Sequence, residues 1–401
     1  MNKTISILGM GYVGLPTAIL FARSGIQVYG YDVNRQVIDT LKSGQIHIVE
    51  PDLQDDFEEV LNIGKLKPTY NIIKSDVYII SVPTPFKKER KGKIADLSHV
   101  KVASKEIGQV LKKGDLVILE STVPPDTTRM MTNILEEESG LKRADFFTAH
   151  CPERVLPGKI LYELEHNDRI IGSETEKGRE LAKKVYGTIV KSGNIYTTDD
   201  RTAEMCKLVE NTYRDVNIAF ANELSIISDE LGIDVFELIN LANKHPRVNI
   251  LNPGAGVGGH CLAVDPWFIV EKAPNISTII KNSRLMNDHK PQWIVNKVEK
   301  ILKQDKKKIV GVLGLAYKPN IDDLRESPSL EIVQEFIDRG YNVIACEPNI
   351  KEATVMGTKN CSIKEIVDKA DFLILTSAHK EFVDNTELLR SKTIYDCVGI
   401  L

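Results

Sequence analysis

Cys261 closes a run of small residues, Gly254-Ala255-Gly256-Val257-Gly258-Gly259-His260-Cys261, and Asp265 follows four positions later. A loop so rich in glycine offers backbone amides to phosphate and can bring a thiolate against a substrate carbon, beside a histidine and a carboxylate able to adjust its pKa. The plain alternative is a small buried hydrophobe, the commonest fate of a lone cysteine, and residue chemistry alone leaves the two readings level. Lys207, Asn211 and Arg214 recur at i, i+4 and i+7, which on a helix is one stripe facing one site. A solvated polar face has the same spacing, but Met205, Leu208, Val209 and Ala219 around the stripe point to a largely buried helix. A lysine there shifts its pKa readily and can serve as base or oxyanion partner. His245, Arg247 and Asn249 add donors just before the glycine loop, as a substrate with two phosphates would require.

A third constellation is Gly9-Met10-Gly11-Tyr12-Val13-Gly14, with Asp32 at the end of the next apolar run. The glycines let backbone approach a pyrophosphate at a helix N-terminus, and the carboxylate accepts from a ribose hydroxyl while repelling a 2′-phosphate. NAD is therefore favoured over NADP. A tight turn without ligand is the alternative, and the strand, helix and strand around the motif argue against it.

The elements that must position these groups follow from periodicity. Thr4 to Leu8 reads as a strand, Leu15 to Gly25 as a helix and 26-IQVYGYD as a second strand; 75-SDVYIISVP, 115-DLVILEST, 144-ADFFTAH and 168-DRIIG continue a mostly parallel sheet to about residue 190. From Asp200 the period changes to that of a long helix ending at Gly232, then a helix at 234-DVFELINLANK, the irregular glycine loop, and two helical stretches at 276-ISTIIKNSRLMNDHK and 291-PQWIVNKVEKILKQ. After the lysine-rich 303-KQDKKK the strand and helix alternation resumes, and 340-GYNVIACEPN aligns with 25-GIQVYGYDVN so that Glu347 matches Asp32 and Val343 matches Val28. The expected fold is α/β: two Rossmann-like doubly wound parallel-sheet domains, 1–195 and 303–401, joined by an all-helical domain, 196–302, built on the long helix.

Composition narrows the function classes. Hydrophobic residues make up 42% and charged residues 27% of 401, which rules out disorder as the main state. The formal charge of −4 supplies no global positive field for nucleic acid or an anionic membrane. Six cysteines are scattered without a CxxC pair, as thiols in a reducing cytosol are, and no metal site is expected. The apolar start is broken by Gly9, Gly11, Gly14 and Pro16, so it is expected to fold rather than act as a signal peptide, and the protein is expected to be soluble and cytoplasmic.

Together these residues resemble the UDP-glucose/GDP-mannose dehydrogenase family over essentially the whole chain. The likeness is carried by GMGYVGLP at 9, VEPDL at 49, VPTPF at 82, ESTVPP at 120, CPERVLPG at 151, TAEMCKLVENTYRDVNIAFANE at 202, HPRVNIL at 245, GVGGHCLAVDPWF at 256, NDHKP at 287 and GLAYKPNIDDLRESP at 314. The resemblance implies oxidation of a nucleotide-sugar C6 alcohol to a carboxylate with two NAD. Cys261 matches the family nucleophile, Lys207 its general acid/base, Asp265 and Glu153 the carboxylates that position or activate water, and Thr122 the hydroxyl near the reacting oxygen. Gly9, Gly11, Tyr12, Val13, Gly14, Asp32, Thr84, Thr122 and Arg325 would contact NAD. Arg154, Val155, Lys207, Asn211, Arg214, His245, Arg247, Gly258, Tyr317 and Lys318 would hold the UDP-sugar, with Arg247 reaching across a subunit boundary. The same resemblance implies a homodimer seamed along the long helix, with pairing into tetramers left open.

The family's UDP-glucose enzymes carry a lysine where this chain has Val264, and with His260 this resembles the branch that acts on 2-acetamido sugars. A UDP-N-acetylhexosamine is thus the expected substrate, UDP-N-acetyl-D-mannosamine first and its C2 epimer UDP-N-acetyl-D-glucosamine as the rival. Val398 replaces a basic residue that contacts substrate in relatives. A single-step hydroxyacid-type dehydrogenase would not need Cys261, and a non-catalytic NAD-binding sensor would leave Cys261, Lys207 and Asp265 without purpose.

Overall fold

The computed structural model describes residues 3–48, 50, 52–87, 93–155 and 158–401. Val49 and Pro51 of the VEPDL block, and Leu156 and Pro157 of CPERVLPG, lie outside the described residues. The chain divides into two compact units, Met1–Val209 and Glu210–Leu401.

The first unit is built on eight strands: β1 Thr4–Leu8, β2 Gln27–Tyr31, β3 Leu66–Thr69, β4 Val77–Ile80, β5 Leu116–Leu119, β6 Phe147–His150, β7 Arg169–Gly172 and β8 Ile195–Thr198. Their order is β3-β2-β1-β4-β5-β6-β7-β8, parallel except between β6 and β7. Alternate residues bury on opposite faces, Ile5, Ile7, Val77, Ile79, Leu116 and Ile118 in one core and Leu8, Tyr78, Ile80, Val117 and Leu119 in the other. Burial on both faces is why these strands read as unbroken apolar runs. Strand order reverses between β1 and β4, and a crevice at that switch point is where such sheets take ligands.

The second unit carries six strands, β9 Ile309–Leu313, β10 Asn342–Cys346, β11 Thr354–Val355, β12 Thr358–Asn360, β13 Phe372–Leu375 and β14 Ile394–Asp396. The order β11-β12-β10-β9-β13-β14 repeats the reversal, with only β11 and β12 antiparallel. Val28 and Val343 are each the second residue of their strands, and Asp32 and Glu347 each follow the last, so the sequence repeat is also a repeat of position. The short strands β3, β8, β11 and β12 escape a sequence reading because they carry few consecutive apolar residues.

The long helix runs from Asp200 to Leu231 and stops at Gly232, whose positive φ of 69° suits a helix end. The two helices expected at 276 and 291 are one, Thr278–Ile301, continuing through Pro291. Proline leaves the carbonyl four residues back without its helical donor. That carbonyl belongs to Asn287, and Gly256 of the glycine loop lies so close that a Cβ on it would fall 3.1 Å from the Asn287 oxygen. The proline therefore makes a seat for the loop instead of ending the helix.

Within the second unit the long helix is fastened to Thr278–Ile301 by buried polar pairs. Arg284 Nη1 donates to Asp215 Oδ1 at 2.5 Å, Asn287 Nδ2 donates to the same oxygen at 2.8 Å, and Asn222 Nδ2 donates to Asn287 Oδ1 at 2.9 Å. Removing one partner of a buried ion pair leaves the other charge uncompensated. Asp215→Ala is expected to cost about 3 kcal/mol in urea unfolding, toward the low end of that class because Asp288 remains beside Arg284; an unchanged unfolding midpoint would contradict it.

Candidate active site

In the first unit the glycine turn sits at the carboxyl end of β1. Gly9 has φ +93°, and a Cβ there would lie 2.4 Å from the Ser81 carbonyl oxygen; a Cβ on Gly14 would lie 1.9 Å from the Gly9 oxygen. Only glycine lets the chain fold this tightly against β4. At Gly11 a Cβ would meet nothing within 4 Å, so the backbone there is open to a pyrophosphate. Asp32 Oδ2 accepts from Met10 N at 2.9 Å, which fixes the carboxylate beside the turn. Tyr12 is exposed and Val13 half-buried. These residues fit a dinucleotide.

Thr84 and Thr122 leave the ends of β4 and β5 and meet there, Thr84 Oγ1 donating to the Thr122 carbonyl at 2.7 Å. Ser121 Oγ ties the same segments through the Val82 carbonyl at 2.7 Å. Glu204, near the start of the long helix, accepts from Asp126 N and Thr128 N, each at 2.7 Å, so it caps the helix that follows the Thr122 loop. Burial pushes Glu204 up to about 7 against those hydrogen bonds. Lys207, half-buried, lies one turn further along the same helix.

Glu153, Arg154 and Val155 follow β6 and are all half-buried. Glu153 Oε1 accepts from Arg154 N at 2.6 Å, and Oε2 accepts from Arg169 Nη2 at 3.2 Å. Behind them Glu120, fully buried, accepts from the Tyr186 hydroxyl at 3.1 Å. Burial first, and the nearby Glu153 charge second, push Glu120 up to about 8 despite Arg169. Glu120 is therefore a neutral acid at pH 7.

In the second unit Cys261 is half-buried in the turn that leads into helix Asp265–Lys272. Its carbonyl accepts from Asp265 N at 2.8 Å and Val264 N at 3.0 Å, which fixes the thiol loop to the helix start. Asn211 Nδ2 donates to Asp265 Oδ2 at 2.5 Å, so the predicted stripe residue and the predicted carboxylate do meet. The loop packs on Tyr317: a Cβ on Gly258 would lie 2.6 Å from Tyr317 Cβ, and Gly259 N donates to the Arg325 carbonyl at 3.0 Å. Burial chiefly, then Asp323, raises the Tyr317 phenol, and Cys261 adds to that effect. Cys261, Asp265, Asn211, Gly258, Tyr317 and Arg325 thus form one group. Arg214, His245, Arg247 and Lys318 are exposed, and Val398, half-buried, packs against the core beside β14. Among the described residues no cluster of three or more His, Cys, Asp or Glu could hold a metal, none of the six cysteines is in a disulfide, and no helix is long and apolar enough to cross a membrane.

Sequence reasoning missed Glu120, Arg169, Tyr186 and Glu204. The signal was a charge embedded in an apolar run, Glu120 closing 115-DLVILEST and Arg169 opening 168-DRIIG, where a buried ion must find partners.

Compared with known proteins, the chain matches three models of the UDP-glucose/GDP-mannose dehydrogenase family: its NAD binding domain over residues 3–190, its central domain over 201–289 and its UDP binding domain over 311–401. It is 49% identical to a UDP-N-acetyl-D-mannosamine dehydrogenase of Campylobacter jejuni, over 96% of this chain and 97% of the relative. It is 45% identical to an NDP-N-acetyl-D-galactosaminuronic acid dehydrogenase of Ralstonia nicotianae, over 99% and 96%. Among solved structures it is similar to a UDP-N-acetyl-mannosamine dehydrogenase from Staphylococcus aureus, with TM-score 0.89, 44% identity and coverage of 99% and 95%.

The raised Glu120 has a consequence for stability. Its folded value of about 8 exceeds the ordinary 4.5, so between them the native state keeps a proton that the unfolded chain has released, and stability falls as pH rises through that window. Glu120→Gln is free of this penalty. Its melting temperature is expected to gain on the wild type by at least about 2–4 °C from pH 5 to pH 8 and to level off above; a difference flat with pH, by scanning fluorimetry, would contradict this.

Proposed function

The chain belongs to the UDP-glucose/GDP-mannose dehydrogenase family, whose members are NAD-dependent enzymes, and from that premise we propose that it oxidises UDP-N-acetyl-D-mannosamine at C6 to UDP-N-acetyl-D-mannosaminuronate. The observation that carries the four-electron reading is Cys261 itself, half-buried on a glycine loop whose backbone is tied to Asp265. A plain alcohol dehydrogenase has no use for a thiol held in this way. The choice of sugar leans on the relatives named for UDP-N-acetylmannosamine and on Val264.

In this reading Lys207 takes the C6 hydroxyl proton as hydride leaves, giving an aldehyde. The Cys261 thiolate adds to that carbon as a thiohemiacetal; a second oxidation gives a thioester, and water releases the carboxylate and restores the thiol. NAD, when bound, accepts the hydride at each oxidation. Asn211 and Asp265 hold the polar groups around Cys261, Glu153 orients water, and Thr122 hydrogen-bonds near the reacting oxygen. Asp32 reads the ribose, the Gly9 turn takes the pyrophosphate, and Tyr12, Val13, Thr84 and Arg325 complete the cofactor's contacts. Arg154, Val155, Arg214, His245, Arg247, Gly258, Tyr317 and Lys318 grip the UDP-sugar, so that binding energy remote from C6 orients it.

We take the chain as three domains, 1–195, 196–302 and 303–401, working in the cytoplasm as a homodimer. Tyr213, Phe220 and Ile227 support the dimer: spaced by seven on the long helix, they are 69%, 50% and 46% exposed on the single chain.

The test is NADH formed per sugar consumed, by absorbance at 340 nm with excess NAD. About two with UDP-N-acetylmannosamine is expected. About one would leave a simple alcohol dehydrogenase, two with UDP-N-acetylglucosamine or UDP-glucose alone would change the sugar, and none with any would return the NAD-binding sensor.

A further inference from the structure

Beside Glu153 stands a buried arginine to which the reaction above gives no part. Arg169 opens β7 with its side chain only 5% exposed. Nη1 lies 3.7 Å from Cys151 Sγ and 3.9 Å from Glu120 Oε1, and the guanidinium carbon sits 4.6 Å over the Tyr186 ring. Its strongest contact is the one to Glu153 at 3.2 Å. Cys151 and Glu120 do not compete for the charge: burial pushes the Cys151 thiol up to about 12, and Glu120 keeps its proton at neutral pH. One guanidinium is thus committed to one anion.

The geometry around that anion is specific. Both Glu153 oxygens are engaged, Oε1 by Arg154 N and Oε2 by Arg169, so the carboxylate has a single orientation. Against it lies a cavity of about 10 Å³ bounded by Glu153, Arg154, Asp168 and Arg169, which is room for one water. A planar guanidinium stacked on an aromatic ring holds its partner more tightly than a lysine on a flexible stem can.

We propose that Arg169 is a positioning residue for thioester hydrolysis, fixing the Glu153 carboxylate beside a one-water site. The water oxygen bonds to the acyl carbon, Glu153 accepts one of the water protons, and the bond from carbon to sulfur breaks with Cys261 leaving as thiolate. The proposal rests on the reading in which Cys261 carries the acyl group and Glu153 orients water.

The experiment compares wild type, Arg169→Lys, Tyr186→Leu and Glu153→Gln by stopped-flow NADH formation and intact-protein mass, with NAD and UDP-N-acetylmannosamine. In Arg169→Lys a burst of about two NADH per site is expected, then turnover slowed at least tenfold, with the sugar-nucleotide acyl group retained on the protein. Glu153→Gln should do the same. Tyr186→Leu removes the ring on which the Arg169 guanidinium stacks and should show a smaller slowing with the same adduct; should the lysine variant fail to fold, this variant decides. An adduct in Glu153→Gln but in neither of the other two overturns the role of Arg169. No adduct in any variant, Glu153→Gln included, overturns the Glu153 assignment and this proposal with it.

Discussion

In each unit a carboxylate at the end of a strand takes hold of the backbone turn at the end of the strand beside it, and the difference between the two grips sets the terms of the chemistry. In the first unit Asp32 accepts from Met10 N through one oxygen and stays partly accessible, beside a turn that is open at Gly11. In the second, Glu347 is 2% exposed. Its Oε2 accepts from Leu315 N at 2.7 Å, Ala316 N at 2.9 Å and His379 Nε2 at 3.1 Å, and Oε1 from Asn349 N at 3.0 Å. Burial alone would raise this carboxyl; those donors, His379 foremost, outweigh it and hold it at about 2. The turn itself differs, since Ala316 and Pro319 stand where the first unit has Gly11 and Gly14. The proposed ribose contact has a partly accessible carboxylate in one turn, whereas the other turn is a closed hydrogen-bond network.

One dinucleotide turn per chain means that a reaction needing two NAD must use it twice. The first NADH has to leave, and a second NAD enter, while the half-oxidised sugar stays. An aldehyde held by hydrogen bonds alone is free to escape in that interval, whereas a thiohemiacetal is not. In the proposed mechanism Cys261 answers a requirement set some 250 residues earlier in the chain by the glycine turn. The seat of its loop on the carbonyl exposed by Pro291, and the backbone bonds to Asp265, supply the rigidity that the proposed covalent adduct would need.

Much of this was legible in the sequence, for reasons that differ by feature. Gly9 and Gly14 announced the dinucleotide turn because only glycine fits φ +93° at the one and a 1.9 Å approach at the other, while Gly11 leaves the backbone between them open. The long helix showed in its period and its terminal glycine. The match of Asp32 with Glu347 was visible, yet their opposite roles were not, because the role of Glu347 is set foremost by His379, which lies 32 residues later and reaches it only through the fold. Glu120, Arg169 and Glu204 hid for a similar reason: a charge in an apolar run shows that partners exist without showing which. Pro291 misled because a proline reads as a helix boundary when the compensating glycine lies 35 residues away.

The central claim, that one dinucleotide site is used twice while the sugar stays on Cys261, is tested most directly by running the reaction with NAD limiting at less than one equivalent per sugar and an aldehyde-trapping amine present. Sugar consumed equal to half the NADH formed, with no trapped aldehyde, is the expected result. Sugar consumed equal to NADH, with the aldehyde recovered as its trapped adduct in solution, would contradict it.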